Sequence, residues 1–264
     1  MTTNIRTTLL AAATAIGVAA SAGAQSPQPA ANTQAVKNVV LVHGAFADGS
    51  GWRGVYDRLT ARGYRVTIVQ NPLTSLADDV AATRRVLARQ QGPSLLVGHS
   101  YGGTVITEVG TDANVAGLVY VAALAPDTGE TTGGQFKEIP PPAEFVIEPQ
   151  ADGFGFVNLE KFKIGFAGDT TDADAAFLRD SQVPIAMAAF DAKITLAAWR
   201  AKPSWFIVAT KDNAIDPRLQ RQTAQRIGAR TVDVEASHVP FLSRPDEVAN
   251  AIDNAARELS RPAR

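Results

Sequence analysis

Leu95-Leu96-Val97-Gly98-His99-Ser100-Tyr101-Gly102-Gly103 is the stretch on which the reading of this chain turns. An apolar run leads into a turn spaced Gly-x-Ser-x-Gly, and the helical stripe Val105, Ile106 and Val109 follows. That order predicts a short buried strand, a sharp turn and a helix, with the serine at the apex. The spacing has a physical basis. A serine at such an apex adopts a strained backbone with φ > 0. Side chains two positions either side would clash where strand and helix pack close, and Gly98 and Gly102 remove those clashes. The Ser100 hydroxyl is then lifted above the C-terminal edge of a parallel sheet, where a nucleophile belongs. A chain with 21 Gly can hold this spacing by chance; the flanking strand and helix patterns separate an elbow from a glycine-rich turn.

Outward from the elbow, strand and helix patterns alternate from Asn38 onward. This predicts a mostly parallel sheet with helices on both faces. Val39-Val40-Leu41-Val42 is a continuous apolar run suited to a doubly buried strand. A helix is expected near Trp52–Arg62, a strand over Tyr64–Val69, and a capping box at Ser75-Leu76-Ala77-Asp78 opening a helix striped by Leu76, Val80, Thr83 and Leu87. Beyond the elbow helix come strands over Gly117–Ala123, Ser204–Thr210 and Arg230–Glu235. Asp216-Pro217 starts one more helix as N-cap and first-turn proline. Val248, Ile252, Ala255 and Leu259 stripe the last.

The alternation breaks over about residues 126–203. That stretch carries a Pro-Pro-Pro run at 140–142 and eight of the eleven Phe. It holds short helical patterns at Asp172–Arg179 and Ile185–Trp199. An insertion leaving the sheet at this end must lie over Ser100, so a helical lid is expected to build the substrate pocket. Candidate lining residues are Phe46 from the loop after the first strand, Trp52 at the start of the helix that follows, and Phe154, Phe156, Phe162, Phe166 and Phe190 from the lid. Most lid aromatics should form the lid's own core, with a minority touching substrate.

The first 24 residues read as a signal peptide. Arg6 gives a positive start, Leu9 to Ala20 is an apolar run, and Ala22-Gly23-Ala24 has the small-x-small form of a cleavage site. The run is short for a membrane span, so no stable anchor is expected and the location should be periplasmic or secreted, with an uncleaved membrane anchor as the alternative. Residues 25–36 read as a disordered linker and 37–264 as one domain. With no Cys there are no disulfides, and the core alone must hold the fold. Apolar content of 45% and charged content of 19% are those of a globular chain. A net charge of −1 with dispersed charges offers no basic patch for nucleic acid.

A serine hydroxyl needs a base to take its proton during attack. The chain has three His. His99 lies on a turn that points its side chain away from Ser100, and His43 is placed to brace a loop. His238, in a loop after the last strand, shares the sheet edge with Ser100 and is the expected base. A carboxylate must fix its tautomer and stabilise the imidazolium. Asp212, directly after a strand, is favoured; Asp216 is the alternative but already caps a helix. The order Ser100, Asp212, His238 is that of an α/β-hydrolase triad. The oxyanion formed on attack needs preorganised N–H donors. Tyr101 at the helix N-terminus is one. Ala45 is the favoured second, with Phe46 as alternative.

Val40-Leu41-Val42-His43-Gly44-Ala45 with Gly51-Trp52, followed by Val97-Gly98-His99-Ser100-Tyr101-Gly102-Gly103, resembles the α/β-hydrolase superfamily. The resemblance is closest to the branch holding plant methylesterases and hydroxynitrile lyases with their bacterial relatives. It covers nearly all of the chain from Val36 and is weakest in the lid. It implies the α/β-hydrolase fold and an esterase without metal or cofactor, acting on a small-molecule ester through an acyl-serine. Family roles would fall on Ser100, Asp212, His238, Ala45 and Tyr101. Two other classes use the same architecture: a hydroxynitrile lyase and a ligand-binding receptor. The resemblance implies that plant lyases carry a lysine directly after the histidine and a threonine after the strand-end histidine. Here those positions are Val239 and Gly44, which points to acyl transfer. Oligomeric state leaves no signal in the sequence.

Overall fold

Runs of β-branched and aliphatic residues form the strands, and the amphipathic segments between them form the helices. The computed structural model describes residues 1–2 and 35–261. The expected leader (beyond its first two residues) and most of the linker at 25–36 lie outside the described residues. Thr33–Arg264 forms one compact unit; of the other, Met1–Asn32, only residues 1 and 2 are described. In chain order the elements are β1 (Asn38–Val42), α1 (Arg53–Ala61), β2 (Arg65–Val69), α2 (Leu76–Leu87), β3 (Ser94–His99), α3 (Gly102–Val109), β4 (Val115–Val121), β5 (Ile147–Pro149), β6 (Phe154–Val157), α4 (Phe162–Phe166), α5 (Asp172–Asp180), β7 (Ile185–Ala186), α6 (Ala188–Asp191), β8 (Ser204–Ala209), α7 (Pro217–Arg226), β9 (Arg230–Val234), α8 (Pro240–Ser243) and α9 (Pro245–Leu259).

Six strands make one parallel sheet in the order β2-β1-β3-β4-β8-β9. Every residue of β1, β3 and β8 is buried, as continuous apolar strands covered on both faces should be. Of the edge strands, β2 is half-buried and β9 mostly exposed, and they carry Arg65, Arg230 and Asp233, charges that discourage pairing with another chain. Neighbouring residues of β4 show the two covered faces. A Cβ on Gly117 would meet Leu259 of α9, whereas Leu118 lies against Gly110 at the end of α3. Helix α1 packs with α9, and α2 with α3. Half of the expected capping box is formed: Ser75 Oγ accepts the Asp78 N–H at 3.0 Å, while the Asp78 carboxylate accepts the Ser75 hydroxyl in place of its backbone N–H. No helix among the described residues is long and apolar enough to cross a membrane.

The insertion between β4 and β8 contains helices α4, α5 and α6, and it also holds a three-stranded antiparallel sheet, β5-β6-β7, that the helical reading did not include. Phe154-Gly155-Phe156-Val157 alternates half-buried and buried positions, the period of a strand. The short helical pattern read over Ile185–Trp199 is replaced by β7, the single turn α6, extended chain, and a tight turn at Ala198–Arg200. Long-range pairing overrides the local period here. The Ala186 N–H is taken by the Leu73 carbonyl and the Ile194 N–H by the Glu130 carbonyl, at 2.8 and 3.0 Å. Those amides would otherwise bond within a helix.

Candidate active site

Ser100 sits between β3 and α3 with φ +53°, the left-handed conformation its place in the motif demands. The glycines around it are spatial necessities. A Cβ on Gly98 would lie 2.5 Å from the Gly102 carbonyl oxygen, and one on Gly102 2.7 Å from the His43 carbonyl oxygen. A Cβ on Gly44 would lie 2.8 Å from the Ser100 Cβ, so the β1 loop passes directly against the serine. The apex is locked by three backbone bonds. The Ser100 N–H donates to the Val121 carbonyl at 3.2 Å, and its own carbonyl accepts from Gly103 and Leu124.

His238 follows β9 and is buried, as is Asp212 after β8. The His238 Nδ1–H donates to Asp212 Oδ2 at 2.8 Å, which leaves Nε2 as the unprotonated, basic nitrogen. Asp212 is itself held on both oxygens. Oδ1 accepts the Ala214 and Ile215 N–H groups at 2.7 and 2.9 Å, and Oδ2 accepts Gln220 Nε2 at 2.7 Å. Gln220 in turn bonds the Ala209 N–H and the Ile215 carbonyl. Sequence reasoning missed this glutamine. Its one signal is a polar residue beside Leu219 on the buried face of α7. Asp216, the alternative acid, faces elsewhere: it caps α7 through the Arg218 N–H at 2.8 Å. The Arg218 guanidinium bonded to it holds its carboxyl below the usual range.

The other two histidines are bracing groups. His43 Nε2 accepts the Asn71 N–H at 2.9 Å and its Nδ1–H donates to the Gly44 carbonyl. Burial lowers its pKa. His99 Nε2–H donates to the His238 carbonyl at 2.8 Å, so it props the loop of the expected base. Burial, and then His238 beside it, keep His99 neutral.

Ser100 and His238 open onto one cavity of about 300 Å³, which Ala45, Phe46 and Tyr101 also line. Among the described residues, no protein acceptor takes the backbone N–H of Ala45, Phe46 or Tyr101. Tyr101 is the N-cap residue of α3, so the helix dipole reinforces its amide. Phe46 has φ +62°. Of the expected pocket aromatics, Phe46, Phe166 and Phe190 line the cavity. Trp52 does not; it is wholly buried against Phe241, ring centroids 4.4 Å apart. Phe154 and Phe156 belong to the lid sheet, Phe156 facing an outer groove. Phe162 is buried behind Phe166 at 5.1 Å. In their place the cavity takes Phe136, Phe145, Ile147, Met187, Leu124 and Ile215. Phe145 contacts both Phe46 and Phe166, and Phe166 meets the His238 ring edge-on at 5.0 Å. Phe136 and Phe145 flank the proline run, where no periodicity marks an inward face.

The profile of the alpha/beta hydrolase family matches residues 39–251. A pyrethroid hydrolase of Sphingobium wenxiniae is 31% identical over 251 residues, covering 84% of this chain and 88% of the relative. Among solved structures, a pyrethroid hydrolase from Sphingobium faniae superposes with a TM-score of 0.69 at 24% identity, covering 84% of this chain and 98% of the other. Polyneuridine aldehyde esterase superposes with a TM-score of 0.73 at 17% identity, covering 83% and 99%. At these identities the structural matches speak for the fold alone.

Proposed function

The chain belongs to the alpha/beta hydrolase family, and on that premise we propose that it cleaves uncharged, apolar carboxylic esters through an acyl-serine intermediate. The observation that carries this reading is His238, bonded to Asp212, opening onto the same cavity as a serine held at φ +53°. His238 Nε2 takes the proton of Ser100 Oγ as the oxygen attacks the ester carbonyl carbon. The new oxyanion accepts the N–H groups of Ala45 and Tyr101, and the imidazolium is stabilised by Asp212. The same proton then passes to the departing alkoxide. Water, deprotonated by His238, hydrolyses the acyl-serine and returns Ser100 to its starting state.

The lining favours a particular substrate class. Aromatic and aliphatic side chains make most of the wall, and its one ionisable group besides His238 and Tyr101 is Asp191, an exposed residue. Among the described residues, no cation lines the cavity to pair with an anionic substrate, so neutral esters with an aryl or branched group fit best. The Sphingobium wenxiniae relative is named a pyrethroid hydrolase, which agrees with this class. Lyase chemistry finds no support: Val239, buried, follows the histidine, and Gly44 has no room for a side chain against Ser100.

A turnover screen of p-nitrophenyl esters from acetate to decanoate, with Ser100→Ala as control, tests the reading. Ester turnover lost in Ser100→Ala and an acyl adduct on Ser100 by mass spectrometry are expected. Benzaldehyde release from mandelonitrile without any ester turnover would overturn it. Residues 1–24 are proposed as a cleaved leader, with the exported form beginning at Gln25. N-terminal sequencing of periplasmic protein checks this, and a retained leader would refute it.

A further inference from the structure

One buried ionisable side chain close to the cavity has no part in the proton relay. Asp79 lies on the first turn of α2 and is wholly buried. Its Oδ2 accepts the Tyr101 hydroxyl at 2.7 Å, and its Oδ1 accepts the Leu73 N–H at 2.8 Å. Asp78 beside it is turned to Thr74 and Ser75 at the helix start. A carboxylate sealed from water with two donors and no cation carries a desolvation cost that an apolar pair of the same volume would avoid. Burial indeed pushes the Asp79 carboxyl up to about 6, despite the two donors. A costly group at such a place calls for a role beyond filling space.

Its partner supplies one. The two ends of Tyr101 do different work. Its backbone N–H is the oxyanion donor proposed above, next to a serine whose left-handed backbone persists only because its surroundings impose it. Its ring is met edge-to-face by Phe190 of the lid, centroids 5.8 Å apart at 87°, and its hydroxyl is held by Asp79. The second hydrogen bond of Asp79 reaches Leu73, itself at φ +59°. The Leu73 carbonyl accepts the Ala186 N–H of the lid strand β7 at 2.8 Å. One carboxylate therefore grips both the residue that offers the amide and the loop from which the lid strand hangs.

We infer that Asp79 is a positioning residue of the oxyanion hole: it anchors Tyr101 by its phenol so that the Tyr101 amide stays aimed beside Ser100. This rests on the serine-esterase reading. Removing an oxyanion donor outright costs about 10²–10³ in rate. A donor that is loosened but still present should cost less, about tenfold. Asp79→Asn and Tyr101→Phe keep the volume of their side chains; the first replaces the carboxylate acceptor with a neutral amide, and the second removes the hydrogen bond outright. Each should lower kcat by about tenfold with KM changed less than about twofold. A trifluoromethyl ketone, whose tetrahedral adduct needs the hole, should bind more weakly by the same factor as kcat. The matching methyl ketone should bind as before. The double variant should be no worse than the poorer single one, since both changes act on one contact.

Two results would overturn the inference. One is kcat near that of the parent in both variants with only a lowered Tm, which would make the pair a brace of the fold. The other is a kcat loss with trifluoromethyl ketone affinity intact. If Asp79→Asn fails to fold, Tyr101→Phe decides alone, because it removes one oxygen and nothing else. Ser100→Ala run alongside separates the two readings. Turnover persisting there defeats the esterase reading itself, while a silent Ser100→Ala with an unimpaired Tyr101→Phe defeats only the role of Asp79.

Discussion

Asp212 and Asp216 are the same residue type four positions apart, and their surroundings give them unrelated work. Asp212 is buried and accepts from His238, Gln220 and two backbone amides. Asp216 accepts from the first turn of α7 and from Arg218. Asp212→Asn should therefore lose up to ~10⁴-fold in kcat, because the amide no longer enforces the tautomer that leaves His238 Nε2 basic. Asp216→Asn should stay near parental activity and lose about 1 kcal/mol or less of stability, since asparagine is also a good cap. Steady-state kinetics and thermal melts of the two variants check this, and a dead Asp216→Asn beside an active Asp212→Asn would reverse the assignment. The place of Asp212 at the sheet edge was legible because it follows a strand directly. Gln220 was not, because only the fold shows that its amide reaches Asp212.

At the scale of elements, the elbow and the lid behave differently. The elbow is one contiguous motif in sequence, although Gly98 is required by the backbone of α3 and Gly102 by that at the end of β1. The lid is specified by where its pieces land. Its aromatics divide into rings that face the cavity and rings that hold the lid together. Phe145→Ala and Phe190→Ala should enlarge the cavity and shift kcat/KM toward longer acyl chains. About tenfold is expected where one or two methylenes of fit are gained. Phe154→Ala and Phe156→Ala, on β6 away from the cavity, should leave the chain-length profile unchanged. Profiles measured across the p-nitrophenyl series distinguish the two sets, and a shift confined to the β6 pair would mean that the cavity lies elsewhere.

For the whole molecule, the balance of buried and exposed carboxylates sets how stability follows pH. Asp127 and Asp216 are held below the usual range by Arg200 and Arg218. What they contribute is present above the ordinary carboxylate pKa and is lost as the pH falls through their lowered values. Asp79 works in the opposite sense. Its carboxyl moves from 3.8 to about 6, chiefly by burial. Between those values the folded chain keeps a proton that the unfolded chain has released. Its contribution is complete below about 3.8 and is lost as the pH rises through about 6. Asp79→Asn removes this titration and leaves Asp127 and Asp216 in place. The Tm of the parent minus that of Asp79→Asn should therefore grow as the pH is lowered from 7 to about 4. Melts at several pH values check it, and a constant difference would show that Asp79 does not titrate in this window.

The sequence by itself determined the sheet, the elbow and the candidate residues Ser100, Asp212 and His238. Those features rest on local rules: apolar runs long enough for buried strands, glycines where backbones touch, and few histidines from which to choose. His99 shows the limit. Its place beside Ser100 is plain from the sequence, but its bond to the His238 carbonyl spans 139 positions. Tertiary structure alone decided the path of the lid, the rings that reach the cavity, Gln220 behind Asp212, and Asp79 beneath Tyr101. Each of these depends on a partner from a distant element. The lid segment around Ile185 follows a helical period in sequence but gives its amides to Leu73 and Glu130, because backbone pairing across the fold outweighs a weak local preference.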